Sequence, residues 1–390
     1  MSEKLQHSFQ KLYNYLQNFP LEDRFKGMDP FDGLNSPIIS KTFFGKSRLL
    51  RLIWIQFFKR SPISFRKLAL IRPGYNPQAL GLFISAYCIL YKNHQREDDL
   101  RSIKFLLEKI KHSKIEGYSG ACWGYNFNWQ ARAFYQPKNT PMIVPTTAVF
   151  NGLMDAYELL EEQEILDLAL STGQFILNDL NRTYEGDNFA FSYSPIDKAV
   201  VYNASLMGSK VLSRIYHYTQ NEDLLPIINA SAQFCVNHQQ DDGHWTYGAK
   251  PYHQWIDNFH SGYNLECLSD VARFTDSNQF FQIIEKGFKF YCETFFDKIG
   301  RSKYYSKKTY PIDINNPAQL LSVTATLNKK LEHEKLINNV LAWTIDNMQD
   351  DKGYFYYRQY AKYTNKINYI RWSQAWMFFG MAKYLYEINE

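Results

Sequence analysis

Apolar residues recur at helical spacing along most of the chain, and strand-like alternation is confined to short pieces. Apolar positions at i, i+3 and i+4 mark one face of a helix. The stretch 146–180 contains two such helices that divide near residues 161–164. The helices predicted after it are 199–219 and 223–239, 260–275 and 278–296, 317–327 and 334–348, and 371–388. The pattern predicts an all-α chain built from helical hairpins.

A recurring connector separates the predicted hairpins. After the second helix of a pair come Gly or Asp turn residues, followed by an aromatic-x-Tyr motif or a near relative of it. The tyrosines of this motif are Tyr125, Tyr193, Tyr247, Tyr305 and Tyr356, at intervals of 68, 54, 58 and 51 residues. The residues that stand ten positions after three of these tyrosines are Asn203, Asp257 and Asn315. Each of these polar residues lies at or near the start of the next predicted helix.

Repeats of this length predict a ring of helical hairpins. Another unit begins at 72–90, so the chain holds about six units of roughly 50–60 residues. Stacked helix pairs bury their faces against neighbouring pairs, and the loops at one end converge on the axis. We predict an (α/α)6 toroid, a six-hairpin glycosidase-like barrel, over residues 71–390, with short extended pieces in its loops. Residues 1–70 are predicted to form a helical N-terminal extension beside it.

The composition indicates a folded chain, and the net charge limits the classes of partner that it is expected to bind. Hydrophobic residues make up 45% and charged residues 21% of the chain, which excludes a disordered protein. The net charge of +5 is too small to indicate nucleic-acid binding, but it is compatible with an acidic sugar. The aromatic share of 17% is common where sugar rings stack, although core packing uses the same residues.

Several classes of site and location are not indicated. The five cysteines are scattered and contain no CxxC, so neither a disulfide framework nor a zinc site is predicted. The chain has no Walker A loop and no dinucleotide fingerprint, and we predict no metal and no cofactor. It shows no apolar signal-peptide core and no apolar run of about 18 residues, so a cytoplasmic protein is predicted.

The segment 46–72 qualifies that location. It combines eight basic residues with Leu, Ile, Trp and Phe, and it contains no acid. Such a segment can lie peripherally on an anionic membrane surface. The alternative is an amphipathic helix that packs its apolar face into the core and keeps a basic rim. Both interpretations stay open at this point.

Asp257 and His260 form the candidate catalytic pair. They stand three residues apart, on one face of a predicted first helical turn. A carboxylate beside an imidazole suits general acid/base chemistry, with His260 moving the proton and Asp257 orienting it or acting itself. Tyr202 or Tyr247 is the candidate for a second proton transfer. In the alternative interpretation, Asp257 is simply the N-cap of the helix.

Asp313 offers a second carboxylate. Two carboxylates across a cleft can hydrolyse a glycosidic bond when one has a raised pKa and acts as the acid. Asp257 and Asp313 would form that pair. The surrounding sequence PIDINNP also suits an Asx turn, so a structural turn residue is the alternative.

The candidate binding residues are an arginine and a set of polar and aromatic groups at helix starts and connectors. Arg371 can hold a carboxylate or phosphate through two N–H groups, and Arg358 and Arg132 are second choices for that role. The other candidates are Trp372, Asn203, Tyr247, Trp245, Trp123, Trp255 and Asn316. The tryptophans can stack on sugar rings or wedge between helices.

Three stretches carry a resemblance to known proteins. WIDNFHSGYNLECL, CWGYNFNWQ and YIRWSQAWMFFGMAKYL resemble bacterial proteins encoded among capsule and exopolysaccharide biosynthesis genes. More distantly, the chain is similar to six-hairpin, (α/α)6 carbohydrate-active proteins, which include sugar 2-epimerases, unsaturated glucuronyl hydrolases and polysaccharide lyases. The resemblance implies a toroid that acts on sugars during cell-surface polysaccharide assembly.

The function expected from the sequence is acid/base chemistry on an acidic sugar or oligosaccharide, free or lipid-linked. His260 and Asp257 would abstract a proton beside a uronate carboxylate that Arg371 neutralises, giving an epimerase- or lyase-like reaction. One alternative is a glycoside hydrolase that uses Asp257 and Asp313. Another is a non-catalytic glycan- or lipid-binding scaffold.

Overall fold

The computed structural model of the chain describes residues 2–40, 42, 45–130 and 135–387, and it is mostly helical. Helices α1–α4 span Ser2–Gln17, Leu21–Arg24, Pro37–Ser40 and Arg48–Arg60. Helices α5–α15 span Pro77–His94, Glu97–His112, Ile143–Leu160, Gln163–Asn178, Tyr202–Thr219, Leu224–Val236, Asn258–Phe274, Phe281–Phe295, Asn315–Thr326, Glu334–Met348 and Trp376–Tyr386. A π-helical turn at Ile370–Ala375 leads into α15. The predicted all-α class is confirmed.

Short strands occur in the connecting loops, as predicted. Those of the described residues, β1–β7, are Trp129–Gln130, Tyr135–Gln136, Arg182–Glu185, Asn188–Phe191, Ile312–Asp313, Arg358–Gln359 and Thr364–Asn365. β1 pairs with β2 and β3 pairs with β4, and β5, β6 and β7 form a three-stranded antiparallel sheet.

Six helices form a closed inner ring. In chain order, α5, α7, α9, α11, α13 and α15 each pack against the next, and α15 returns to pack against α5. Protein covers these helices all round, as in α5, where every residue from Pro77 to Cys88 is buried. Each of the first five inner helices also packs against the helix that follows it, namely α6, α8, α10, α12 and α14. This is the toroid that the repeats predict.

The sixth outer helix is α1, from the opposite end of the chain. It packs against α15 and α14, and its side chains Leu5, Phe9 and Leu12 belong to the main core. The predicted boundary at residue 70 therefore needs correction, because the ring includes α1. Local sequence repeats could not show this, since the two halves of the last hairpin lie at opposite ends of the chain.

Glycine turns place α1 in the same position as the other outer helices. Gly243 follows α10 and Gly353 follows α14, with φ of 98° and 105°, in the left-handed region that favours glycine. A Cβ on Gly243 would lie 2.4 Å from the carbonyl oxygen of Lys286 on α12. A Cβ on Gly353 would lie 2.2 Å from the carbonyl oxygen of Lys11 on α1. Thus α1 follows α14 around the ring as α12 follows α10.

The described residues between 21 and 72 form a layer beside the ring. It contains α2–α4 and a 3₁₀ turn at Asp32–Asn35, with small apolar clusters of its own around Ile55 and Phe58. Arg66 holds the layer together and joins it to the ring. Its Nε lies 2.7 Å from Asp32 Oδ1, and its Nη1 donates to the hydroxyl of Tyr369 at 2.9 Å. Of the helices in the described residues, none is long and apolar enough to cross a membrane.

Candidate active site

The inner helices begin around one large cavity of about 1480 Å³. Its wall includes the first turns of α5, α7, α9 and α11, the π-helical turn before α15, and one side of α4. Four of the five connector tyrosines also line it: Tyr125, Tyr193, Tyr247 and Tyr305. Four of the six inner helices therefore begin at this cavity and the turn before α15 lies there too, whereas α13 contributes no residue to the described lining.

Asp257 and His260 form a hydrogen-bonded pair at the start of α11. Asp257 is the N-cap, and its Oδ1 accepts the backbone N–H of His260 at 2.9 Å. Both carboxylate oxygens also lie 2.8 Å from His260 Nδ1. The capping and catalytic interpretations are therefore compatible, because one carboxylate starts the helix and orients the imidazole. With Nδ1 engaged, Nε2 is the ring nitrogen that can meet a ligand in the cavity, which His260 lines.

Aromatic rings enclose this imidazole. Tyr247 stacks on Trp255 with ring centroids 4.4 Å apart and meets His260 edge-on at 4.6 Å. Trp255 Nε1 donates to Asp257 Oδ2 at 2.9 Å, which fixes the carboxylate. Burial and the nearby Asp257 carboxylate raise the pKa of Tyr247. The phenol thus stays protonated at neutral pH and can donate a hydrogen bond to a ligand.

A second imidazole lies close to the first. His253 lines the cavity and contacts the Tyr247 ring at 5.0 Å. Burial and the neighbouring Lys250 lower the pKa of His253, which favours its neutral form. Its buried Nδ1 has no hydrogen-bond partner among the described residues.

Arg371 lines the cavity but is already paired. Its Nε and Nη2 donate to the two oxygens of Asp29 at 2.6 and 2.9 Å, and its Nη1 donates to Gln78 Oε1 at 3.1 Å. Burial alone would lower the pKa of Arg371, but the Asp29 carboxylate outweighs it and the pKa is raised. The role predicted for Arg371, neutralising a substrate carboxylate, therefore needs correction, because Asp29 takes that place. Arg371 instead holds the wall, with its guanidinium 4.9 Å over the Tyr125 ring.

Asp313 is sealed behind the wall of the cavity and does not line it. It is fully buried, with an ion pair to Arg358. Its Oδ1 accepts Trp372 Nε1 at 2.9 Å and the backbone N–H of Asn315 at 2.9 Å. Asp313 therefore positions Arg358 and Trp372, both of which line the cavity. The Asp257–Asp313 pair expected for a hydrolase is not assembled.

Two other helix-start candidates also point elsewhere. Tyr202 is the first residue of α9, and its ring packs 5.1 Å from His238 rather than lining the cavity. Its neighbour Asn203 does line the cavity, since successive helical residues point about 100° apart. Asn316 is fully buried in α13 and is not part of the lining. Arg132 lies outside the described residues.

Trp123 and Trp245 are structural rather than binding residues. Trp123 Nε1 donates to the carbonyl oxygen of Ile110 at 3.0 Å, and Trp245 Nε1 donates to that of Cys235 at 2.9 Å. Both carbonyls lie in the last turn of an outer helix, where the i to i−4 hydrogen bonds of the helix end. These tryptophans thus close α6 and α10, whereas Trp372 and Trp255 are the predicted stacking residues that do line the cavity.

The lining is rich in cations and poor in acids. Of the described lining residues, Asp257 alone is a carboxylate. Exposed Arg60, Lys307 and Lys308 line the cavity and form no salt bridge within the described part of the chain. Lys59 Nζ lies 4.5 Å over the Phe31 ring. Burial and the Arg358 guanidinium lower the pKa of Lys59, and a bound anion would offset both effects.

Sequence reasoning did not identify several cavity residues. Gln78, in the first turn of α5, accepts the Tyr125 hydroxyl at 3.2 Å and donates to the Tyr263 hydroxyl at 3.4 Å. Tyr263 follows His260 by three residues, so the helical spacing that paired Asp257 with His260 could also have identified it. Lys59 and Gln78 belong to the basic segment 46–72 and to the first repeat unit at 72–90, but neither of them follows a connector tyrosine at the ten-residue offset.

The comparisons with known proteins agree with this architecture. No protein-family model and no curated protein matches the sequence. Among solved structures, the cellobiose 2-epimerase of Bacillus thermoamylovorans is similar, with a TM-score of 0.67 at 12% identity, covering 97% of this chain and 98% of that one. The GH76 α-mannanase of Bacteroides thetaiotaomicron has a TM-score of 0.62 at 11% identity, covering 80% of this chain and 86% of that one.

A family 88 glycosyl hydrolase from Bacteroides vulgatus is similar as well. It has a TM-score of 0.56 at 12% identity, covering 80% of this chain and 91% of its own. At these sequence identities, the structural similarity is evidence for a shared fold only. The chain has the fold of the six-hairpin (α/α)6 toroid.

Proposed function

We propose that the protein is a carbohydrate-active enzyme that moves a proton on an acidic sugar or oligosaccharide, as epimerases and lyases do. The observation that carries this proposal is the Asp257–His260 pair in an aromatic, cation-rich cavity. Fifteen of the 34 described lining residues are Phe, Tyr or Trp, which gives sugar rings faces on which to stack. The similar solved structures, titled as a sugar epimerase and glycoside hydrolases, support a sugar ligand.

The geometry suggests how the proton would move. Asp257 accepts the Nδ1 proton of His260, so Nε2 presents its lone pair to the substrate. Nε2 takes the proton from C5 of a uronate, and the electron pair left on carbon delocalises into the adjacent carboxylate. Return of a proton to the opposite face gives the C5 epimer, and Tyr247, which lines the same cavity, is the proposed donor. Loss of the C4 substituent instead gives an unsaturated sugar.

The charges around the cavity support the proposal of an acidic substrate. Arg371 and Arg358 are balanced by Asp29 and Asp313, so they hold the wall. Lys59, Arg60, Lys307 and Lys308 also line the cavity, and none of these four forms a salt bridge within the described part of the chain. They would stabilise the negative charge that develops on the substrate carboxylate during proton removal.

We further infer the cellular setting from the sequence. The resemblance to proteins of capsule and exopolysaccharide gene clusters supports a role in cell-surface polysaccharide assembly in the cytoplasm, on a free or lipid-linked sugar. The hydrolase alternative gains no support from the site, since Asp313 is engaged by Arg358 and Trp372 behind the wall.

Replacing Lys59 tests the charge argument. We expect Lys59→Gln to raise KM for uronate-containing oligosaccharides about tenfold and to leave KM for neutral analogues unchanged, since a charge-assisted hydrogen bond is worth about 1.5–3 kcal/mol. Lys104→Gln, on the exposed side of α6, is the matched control and should not change either value. Equal effects of Lys59→Gln on acidic and neutral sugars would contradict the assignment.

The proposed reaction is tested by proton NMR in D₂O with a panel of uronic-acid oligosaccharides. Deuterium at C5 supports epimerase-type chemistry, and new vinylic signals support a lyase. New reducing-end signals would indicate hydrolysis and overturn the proposal. Line broadening without any product would also overturn it, in favour of a glycan-binding scaffold.

A further inference from the structure

Helix α4 presents three different faces. Ile55 and Phe58 are buried against the rest of the layer, and Trp54 packs beside them. Leu52, Gln56 and Lys59 line the cavity, together with the two arginines at the ends of the helix. At 3.6 residues per turn, Leu49, Ile53 and Phe57 form a third stripe, on the side away from the buried face. The core therefore does not account for all the apolar residues of this helix.

The third stripe is exposed, and further apolar residues extend it. Leu49, Ile53 and Phe57 are 66%, 56% and 46% exposed. Phe65 stacks on Phe57 at 5.5 Å, which places the turn after α4 beside the end of the stripe. That turn exposes Ile63, Leu68 and Leu70. We call these six exposed side chains, Leu49, Ile53, Phe57, Ile63, Leu68 and Leu70, the docking face.

This concentration of exposed apolar side chains is unusual for the molecule. Of the twelve exposed Leu, Ile and Phe side chains in the described residues, seven lie between residues 38 and 70. Leu70 also has φ of 56°, a conformation that bulky residues rarely adopt, and it holds an apolar side chain in solvent. Scattered exposed apolar residues are ordinary, but a concentration of them in one part of the chain points to an interaction surface.

Exposed basic residues belong to the same segment of the chain as the docking face, and they indicate its partner. Lys46, Arg48, Arg60, Lys67 and Arg72 are exposed, and residues 46–72 contain no acid. A symmetric dimer through this face would bring the positive groups of two copies together, which is unfavourable. An anionic lipid surface accepts both features, because headgroups attract the cations and acyl chains take up the apolar side chains.

We propose that the docking face rests on an anionic lipid surface. This contact is separate from the reaction at His260 and does not depend on it. Leu49 and Ile53 directly follow Arg48 and Leu52, which line the cavity, so the lipid surface would lie beside the part of the cavity wall that α4 forms. A sugar carried on a membrane lipid could then reach the cavity without leaving the bilayer.

Vesicle co-sedimentation of the full chain tests the proposal. The vesicles are phosphatidylcholine alone, or phosphatidylcholine mixed with phosphatidylglycerol. We expect wild-type protein to bind the anionic vesicles and to be released by salt. The triple variant Leu49→Ser/Ile53→Ser/Phe57→Ser should bind the anionic vesicles at least about tenfold more weakly than wild type. Its matched control is Ile196→Ser/Phe281→Ser/Ile299→Ser, which removes three equally exposed apolar side chains elsewhere and should bind as wild type does.

The double variant Lys67→Glu/Arg72→Glu keeps the test decisive if the triple variant does not fold. It leaves every apolar residue in place and should lose the preference for anionic vesicles. The proposal is overturned if wild-type protein ignores anionic vesicles, or if the folded triple variant binds as wild type does. A wild-type dimer that the triple variant dissociates, with no vesicle binding, would instead make a second copy the partner.

Discussion

The double variant Asp257→Asn/His260→Ala is expected to lose turnover by about 10²–10⁴-fold and to unfold at nearly the same temperature as wild type. Turnover falls because the variant lacks both the base and the carboxylate that orients it. Stability persists because Asn is as good an N-cap as Asp, so α11 still begins at residue 257. Steady-state kinetics and thermal unfolding measure the two effects on the same protein.

The single variants separate the two roles. Asp257→Asn should reduce kcat strongly with KM little changed, since the imidazole loses its partner at Nδ1 while the binding surface stays in place. Lys104→Gln, far from the cavity on α6, serves as the control. Turnover that survives in the double variant would show that this pair is only the cap of a helix.

Asp29→Asn is expected to destabilise the fold by about 3–5 kcal/mol, because it leaves Arg371 charged and buried without its partner. The two side chains are 5% and 3% exposed and are joined by two hydrogen bonds. Asp29 belongs to the layer of residues 21–72 and Arg371 to the turn before α15, so the pair joins the layer to the ring. Urea unfolding of the full chain measures the loss.

A surface ion pair provides the control for Asp29→Asn. Lys4 Nζ lies 2.6 Å from Asp346 Oδ1 and also joins distant parts of the chain, but its side chains are 42% and 60% exposed. Asp346→Asn should therefore change the unfolding free energy by less than about 1 kcal/mol. Similar losses in the two variants would mean that burial does not decide the strength of the Asp29–Arg371 pair.

The ring and its cavity could be predicted because a repeat leaves a periodic trace in the sequence. The connector tyrosines and the ten-residue offset to Asn203 and Asp257 both reflect one structural unit used several times. That periodicity was enough to predict a toroid, and the convergence of helix starts then placed His260 in a cavity. Spacing within one turn also paired Asp257 with His260 correctly.

The remaining features depend on contacts that the repeat does not record. Asp29 and Arg371 are 342 positions apart and belong to different structural units, so nothing in the sequence paired them. The packing of α1 against α15 could not be predicted either, because the two helices lie at opposite ends of the sequence. In the sequence, Trp123 and Trp245 cannot be distinguished from tryptophans that stack on sugars. Their structural role is visible only from the helix-end carbonyls to which their indole N–H groups donate.

The most direct test of the account is the rate at which wild-type protein and His260→Ala introduce solvent deuterium at C5 of a uronate-containing oligosaccharide. If His260 Nε2 removes that proton, wild-type protein should exchange it, and His260→Ala should fall toward the uncatalysed rate while still binding the sugar. Exchange at the wild-type rate in His260→Ala would contradict the assignment of His260 as the base. No exchange by wild-type protein on any bound acidic sugar would contradict the proposed reaction itself.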